Sequence, residues 1–450
     1  MSTKSTKHPK LFPLFTAPAL KFKFAIRFNL AHSSKQKSPS RTYPPKPDLP
    51  TQTPELTPGT VLGRGLEYTL VRPLGDGGFS TVWLAQTDKE DDVDDGASFH
   101  TALTYLSPSP SNLVAIKVLT TAGERTRELS KHLRLDHPPD QLVKLLDHFT
   151  FSKRSERPST AEQKGKRSRR LSLPPAFPVR HSLPLPAPFP STCLVLSLHG
   201  PTITDLKRHL SSRWLPMPVV RRIANDVLAA LSFLHSQRLV HADVQPRNIL
   251  LSLPDALSLD QSEWRFVLAD LGHAVQLPHK RHPSSNVQPH ALRAPEVILG
   301  LTWDEKIDLW SLGCLLYEFA TGGPLFDPFF QPTPDYEAMT PAQIHLLQII
   351  EQVGEVPQSM RDPGTRGRVQ EFYDTDGTFR CPFPLQMTSL EAIAKGVWKT
   401  PSSATRLSSS EARNPEREHF CAFLRTIVCV DPQNRLSARE ARLESWVTTS

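Results

Sequence analysis

Ten residues constrain this chain more than any others: His241-Ala242-Asp243-Val244-Gln245-Pro246-Arg247-Asn248-Ile249-Leu250. Residues 218–237 lead into them, with Ile223, Val227, Leu228, Leu231 and Leu234 at the spacing of one buried helical face. Two apolar residues close the stretch. A helix therefore feeds a loop that carries a carboxylate, Asp243, and a carboxamide five residues later, Asn248. Taken alone this is weak, because His, Asp and Asn are ordinary loop residues. Its meaning comes from the pieces on either side and from their order.

On the N-terminal side, residues 68–74 and 81–85 read as strands around Gly75-Asp76-Gly77-Gly78-Phe79-Ser80. Glycines let backbone N–H groups approach a phosphate closely. The same pattern also makes an ordinary hairpin turn. Leu113-Val114-Ala115-Ile116-Lys117-Val118-Leu119 is a β-run with one charge near its middle. Lys117 must meet an anion or snorkel into water. Residues 123–135 have helix character, with Leu129, Leu133 and Leu135 as apolar positions, and Glu124 and Glu128 are candidates to pair with Lys117. Glu128 is favoured because it immediately precedes the apolar stripe. Strands are expected over 144–150 and 193–198.

On the C-terminal side, a short apolar strand at 266–269 ends in Asp270-Leu271-Gly272, where a carboxylate before a glycine turn can hold a metal ion or simply shape the turn. Arg293-Ala294-Pro295-Glu296 follows. Residues 306–321 are apolar almost all round, which marks a central buried helix. Asp308 inside it needs hydrogen-bond donors, and the backbone N–H groups of the His241 loop are the obvious ones. Further helices are expected over 341–353 and 414–429, before Asp431-Pro432 and Arg435.

The net charge of +8 invites a nucleic-acid reading, but its distribution argues against one. Ten Lys and Arg residues precede position 47, and no acid occurs until Asp48. Another basic cluster sits near 153–180. The 44 prolines crowd into the same kinds of segment, so residues 1–60 read as a disordered basic tail, and 88–112 and 151–191 as insertions. The first of these also resembles an organelle transit peptide, with a mitochondrial address as the less favoured reading. Five cysteines, odd in number and without a Cys-x-x-Cys, fit reduced thiols in an intracellular protein, cytoplasmic or nuclear. No apolar run approaches membrane-spanning length.

Glycine loop, Val-Ala-Ile-Lys, His-x-Asp-x₄-Asn, Asp-Leu-Gly, Ala-Pro-Glu and Asp-x-Trp-Ser-x-Gly occur in that order over about 66–447. Six motifs in this order resemble the eukaryotic protein kinase family. The resemblance implies an α+β, bilobed fold: a five-stranded N-lobe with one helix over about 66–200, and a helical C-lobe over about 201–447. It implies a serine/threonine kinase using ATP and Mg²⁺. Leu74, Gly75, Asp76, Gly77, Gly78, Phe79, Ser80 and Val82 would cover the nucleotide, with Ala115 beside Val82 against the adenine. Lys117, positioned by Glu128, would bind the α- and β-phosphates. Ser197 and His199 would meet the adenine edge through their backbone, behind Leu196. Asp243 would accept the substrate proton, Asn248 and Asp270 would hold magnesium, and Glu296 would pair with Arg435.

Three stretches narrow the resemblance: Phe79–Ala85, Leu268–Ala274 and Arg293–Gly300 look like the SR-protein kinases of the CMGC group and their fungal relatives. That branch implies a protein substrate rich in Arg and Ser, with 355–413 as the group's large-lobe insertion. Asp304, Glu305, Asp327, Asp335 and Glu337 are candidates for an acidic groove. Arg169-Arg170-Leu171-Ser172 resembles a target of basophilic kinases.

The departures carry as much information. Ala242 replaces the Arg that reads a phosphate in many kinases, so no phosphorylation between His273 and Leu292 is expected to be needed. Gln245 replaces a Lys that stabilises the transferring group, and Pro289 replaces its Thr partner. Arg247 is a candidate to supply the missing cation. A scaffold that binds partners without phosphotransfer is the alternative these two departures suggest.

Overall fold

The computed structural model describes residues 56–65, 67–87, 112–120, 127–151, 190–209, 213–252, 264–278, 287–331, 336, 338–362, 367–388, 390 and 415–449. Ser172, Glu124, Asp335, Glu337, nearly all of the N-terminal tail and the bodies of both insertions lie outside these residues.

A sheet of six strands builds the small lobe, in the order β1-β2-β3-β4-β6-β5 and antiparallel throughout. The strands are β1 (Val61–Leu62), β2 (Tyr68–Asp76), β3 (Ser80–Thr87), β4 (Leu113–Leu119), β5 (Leu145–Phe151) and β6 (Ser191–Leu196). Strand parity decides what each residue does. Val114, Ile116 and Val118 of β4 pack with Trp83, Ala85, Cys193 and Val195 on the outer face. Ala115 and Leu119 face the other way, with Leu194, Leu196 and partly buried Val82. Lys117 shares their parity and is carried to that inner face. A one-residue slip would turn it outward.

The expected five strands are six. Order begins before Tyr68 and takes in residues 56–60, expected to belong to the tail. Thr57-Pro58-Gly59-Thr60 closes a turn through Thr60 N–H to the Thr57 carbonyl at 3.1 Å, with Gly59 at φ 84°. Proline followed by a positive-φ glycine is the signature of a type II turn. The turn lays Val61 and Leu62 beside Thr69 and Tyr68, and Leu62 is buried. Strand ends also differ from expectation: β2 runs through Gly75 and Asp76, leaving only residues 77–79 in the glycine turn.

The small-lobe helix α1 covers Glu128–His132, much less than the expected 123–135, of which 123–126 lie outside the described residues. Arg127 before it is left-handed at φ 56°, and Leu133 after it is exposed rather than part of a buried stripe.

The large lobe is built on α3 (Met217–Ser236) and α4 (Lys306–Thr321), with α2 (Ile203–His209), α5 (Pro341–Gln352) and α6 (Pro415–Ile427) around them. Their buried residues form one cluster. Gly313 of α4 lets the end of α6 come close, since a Cβ there would meet Ile427 at 3.2 Å and Val428, the residue after the helix, at 2.3 Å. Two short antiparallel ladders frame the functional loops. Strands β7 (Leu239–Val240) and β10 (Val275–Gln276) pair, as do β8 (Ile249–Ser252) and β9 (Arg265–Leu268). The loop 241–248 runs from β7 to β8, and 269–274 from β9 to β10. Both loops are thereby pinned at both ends and set side by side.

Candidate active site

The His241 loop is anchored from below by Asp308, which is fully buried on α4. Its carboxylate accepts the backbone N–H groups of His241 and Ala242, both at 2.8 Å, and lies 2.9 Å from His235 Nε2. The expected donors are the ones found. They hold Ala242 in the left-handed region at φ 62°, which a non-glycine residue adopts only where its surroundings enforce it. The His241 ring continues the support. Its Nδ1 accepts the Asp243 N–H at 3.3 Å, and the tautomer this implies donates from Nε2 to the Ala269 carbonyl at 3.0 Å. One imidazole thus couples the two functional loops.

Asp243 is buried, and burial raises its pKa against the opposing pulls of His241, His273, Gln245 and Asn248. Its Oδ2 accepts from Gln245 Nε2 at 2.8 Å and from Asn248 Nδ2 at 2.9 Å. Its Oδ1 accepts no hydrogen bond among the described residues and is the oxygen open to a substrate. Asn248 Nδ2 also donates to the Asp243 carbonyl at 2.9 Å, so its amide nitrogen is fully engaged and its oxygen is what remains for a cation. Gln245 therefore orients Asp243. Arg247 is exposed and makes no hydrogen bond or ion pair among the described residues, so the structure does not bring it to Asp243 as a replacement cation.

Asp270 sits in the left-handed region at φ 71° and accepts the Gly272 N–H at 2.9 Å through Oδ1. The same oxygen lies 2.8 Å from Lys117 Nζ, which is also 2.8 Å from Glu128 Oε1. Burial opposes both ionised carboxylates. Lys117 outweighs it at Asp270, whose pKa is held down at about 2; at Glu128 neighbouring His132 and Lys117 together lower the pKa. Burial likewise depresses Lys117, but the two carboxylates reverse the sign and its pKa is raised. All three groups are charged at neutral pH.

Sequence reasoning missed a second lysine. Lys131, one turn along α1 from Glu128, donates from Nζ to the carbonyls of Leu271 and Gly272, both at 2.8 Å. Its signal was present: it lies three residues after Glu128, and i, i+3 residues share a helix face. The side of the cleft where a nucleotide is expected is apolar. Val82, Ala115, Leu196, Leu198 and Leu250 belong to one cluster that spans the two lobes, and Leu250 was not foreseen there. Ser197 N–H donates to the Lys144 carbonyl at 2.9 Å, so only its own carbonyl can face an adenine. His199 Nε2 lies 2.9 Å from Ser197 Oγ, and burial pushes this imidazole down to about 4, so it is neutral. Leu74 and Phe79 are exposed at the rim.

The segment before Ala294 is held by Gln288, also unforeseen. Gln288 is left-handed at φ 65° and buried. Its Nε2 donates to the Ile307 carbonyl and Ser311 Oγ, both at 2.8 Å, and its Oε1 accepts Ala294 N–H at 3.1 Å. Arg293 caps the same turn through the carbonyls of Val287 and Gln288. Beneath it Glu296 and Arg435 form the expected buried pair at 2.7 and 3.2 Å, with the guanidinium over Trp310. Of the acids considered for a groove, Asp304 caps Lys306 N–H and Asp327 caps Phe329 N–H.

A family model for the protein kinase domain matches residues 190–447. Serine/threonine-protein kinase AFC3 of Arabidopsis thaliana is 32% identical over 265 residues, 55% of this chain and 61% of that protein. Serine/threonine-protein kinase SRPK of Physarum polycephalum is 25% identical over 426 residues, 83% of this chain and 84% of that protein. Dual specificity protein kinase lkh1 of Schizosaccharomyces pombe is 30% identical over 270 residues, 57% of this chain and 36% of that protein. The chain therefore spans less than two thirds of the plant relative's length. The matched family segment begins at residue 190, so Lys117, Glu128 and the glycine turn lie ahead of it, and the fold brings them to the site.

Proposed function

The chain belongs to the protein kinase family, and from that premise we propose that it is a serine/threonine kinase transferring the γ-phosphoryl group of ATP to a protein hydroxyl. The observation that carries this reading is the Lys117 ammonium, 2.8 Å from both Glu128 and Asp270, which joins the small lobe to the loop beside Asp243. Lys117 keeps one N–H beyond those two contacts, available to a phosphate oxygen. Asp243 directs its open oxygen at the hydroxyl and takes the proton as the hydroxyl oxygen bonds to phosphorus and the bond to the departing ADP breaks.

A kinase domain implies Mg²⁺ in general. The free oxygens of Asn248 and Asp270 fit it, being two hard donors beside which a small cation keeps its waters and takes phosphate oxygens. Magnesium, when bound, neutralises charge between the phosphates. No observation favours a scaffold without phosphotransfer. We infer further that the substrate is rich in Arg and Ser, supported by the wording of the glycine loop, the Asp270 loop and the Ala-Pro-Glu segment. An intracellular site of action is supported by five free cysteines. Among the described residues no helix is long and apolar enough to cross a membrane.

The deciding assay is radioactive-phosphate transfer from Mg-ATP to an Arg/Ser-repeat peptide and to a generic basic protein. Transfer should favour the peptide and fall by about 10²–10⁴-fold in Asp243→Asn. Transfer to the generic protein alone would remove the Arg/Ser reading and keep the kinase.

A further inference from the structure

Gln245 and Asn248 hold Asp243 with neutral amides, which orient a carboxylate but neutralise no charge. Among the described residues, the one cationisable side chain within ion-pair distance of Asp243 is His273, whose Nδ1 lies 3.5 Å from Oδ2. His273 follows the Asp-Leu-Gly turn, so the ladder between β7 and β10 that fixes the loop also fixes this histidine. Its ring has a second neighbour. The Phe79 ring at the tip of the glycine turn stands 5.2 Å away, almost perpendicular at 84°. An aromatic edge-to-face contact of this kind is directional as well as attractive. Phe79 is otherwise exposed, and its carbonyl accepts Thr120 N–H at 2.9 Å, which fixes the backbone that presents the ring.

The geometry points to His273 as a positioning residue of this site. We propose that its imidazole, when protonated, holds Asp243 by charge, in place of the cation Gln245 cannot supply, and docks the glycine turn over the cleft through Phe79. This rests on the phosphotransfer reading above. Both contacts are made by one ring, so the same side chain links the position of the carboxylate to the position of the glycine turn. The His273 side chain is half-exposed, so a charge on it is screened and its effect is modest.

The test compares the full-length chain with His273→Ala, His273→Phe, Gln245→Lys and the His273→Ala/Gln245→Lys double variant, using Mg-ATP and the Arg/Ser-repeat peptide. His273→Ala should lower kcat about fivefold with peptide KM unchanged, the scale of a partly screened ion pair. In the Gln245→Lys background the same substitution should have little effect, because the lysine ammonium replaces the lost charge. Amide hydrogen exchange at residues 77–80 should speed up in His273→Ala and stay slow in His273→Phe, which keeps an aromatic ring. An equal loss of kcat in both backgrounds, or wild-type kcat in His273→Phe, would overturn the charge role. If the unaltered chain transfers no phosphate, the kinase reading and the kcat role fall together. Exchange at 77–80 then judges the docking contact by itself, and unchanged exchange in His273→Ala overturns it.

Discussion

The two halves of the site are held in different ways. On the large-lobe side Asp243 and Asn248 stand on a loop pinned by two backbone ladders, by buried Asp308 and by the His241 ring. On the small-lobe side Lys117 has its position from strand parity, but Glu128 and Lys131 ride on a helix of five residues. A helix that short has no stability of its own. It is held by contacts with the Asp270 loop, through Lys117 at one end and Lys131 at the other. The large-lobe half is therefore preorganised, whereas the small-lobe half is correct only while it touches the large lobe.

The contrast can be broken hardest from below. Glu296→Ala leaves Arg435 charged and buried without its carboxylate, and should cost about 3–5 kcal/mol of stability. Denaturant unfolding of the full chain would measure it, and a loss under about 1 kcal/mol would contradict the claim that the large lobe is fixed by such anchors. Next is Lys117→Ala, expected to cost about 3 kcal/mol of transition-state stabilisation, roughly a hundredfold in kcat. Hydrogen exchange should rise at 128–132 and stay unchanged at 241–248. Equal rises in both would mean that the two halves are not held independently.

A smaller effect is expected at Gln288. Gln288→Ala strands Ala294 N–H and removes one bond each from the Ile307 carbonyl and Ser311 Oγ, and a group left unpaired in the interior costs about 1–3 kcal/mol. The side chain holds the segment before Ala294, where no phosphorylation is expected to be needed. Phosphatase treatment should accordingly leave the activity of the unaltered chain intact, while Gln288→Ala lowers it. Activity lost to phosphatase through residues 273–292 would reverse this assignment.

How much of this was legible in the sequence follows the same divide. Helices α3, α4, α5 and α6 fall within a residue or two of their expected bounds, because long periodic apolar faces specify them. Asp308 was legible because a buried charge demands a partner, whereas the Glu296–Arg435 pair was expected only from the family resemblance. Helix α1 was overextended because Leu133 and Leu135 mimic an apolar stripe, while the structure leaves Leu133 exposed. Gln288 and Leu250 were missed because they act on backbone groups and apolar surface, which carry no residue-type signal, whereas Lys131 had the i, i+3 signal but its carbonyl partners did not. Arg247 was misjudged because closeness along the chain says nothing about direction: it is two residues from Gln245 yet points to solvent.

The smallest expected effect is at Lys131, and there the sign is the informative part. Burying the ammonium cancels most of what the Leu271 and Gly272 carbonyls return, so Lys131→Met should change stability near neutral pH by only about 1 kcal/mol. Burial lowers the Lys131 pKa to about 8, against 10.5 for the ordinary side chain. Between these values the unfolded chain binds the extra proton, so this group's contribution to stability rises with pH from about 8 to 10.5. Lys117 works in the opposite sense. Its pKa is raised, so its contribution is full below 10.5 and is lost as pH climbs through the folded value. Subtracting the unfolding free energy of Lys131→Met from that of the unaltered chain removes Lys117 and isolates Lys131. The difference should shift in favour of the unaltered chain across pH 8 to 10.5, because a neutral amine still donates to both carbonyls. A flat difference would mean that Lys131 is solvated in solution and that the Asp270 loop is clasped by Lys117 alone.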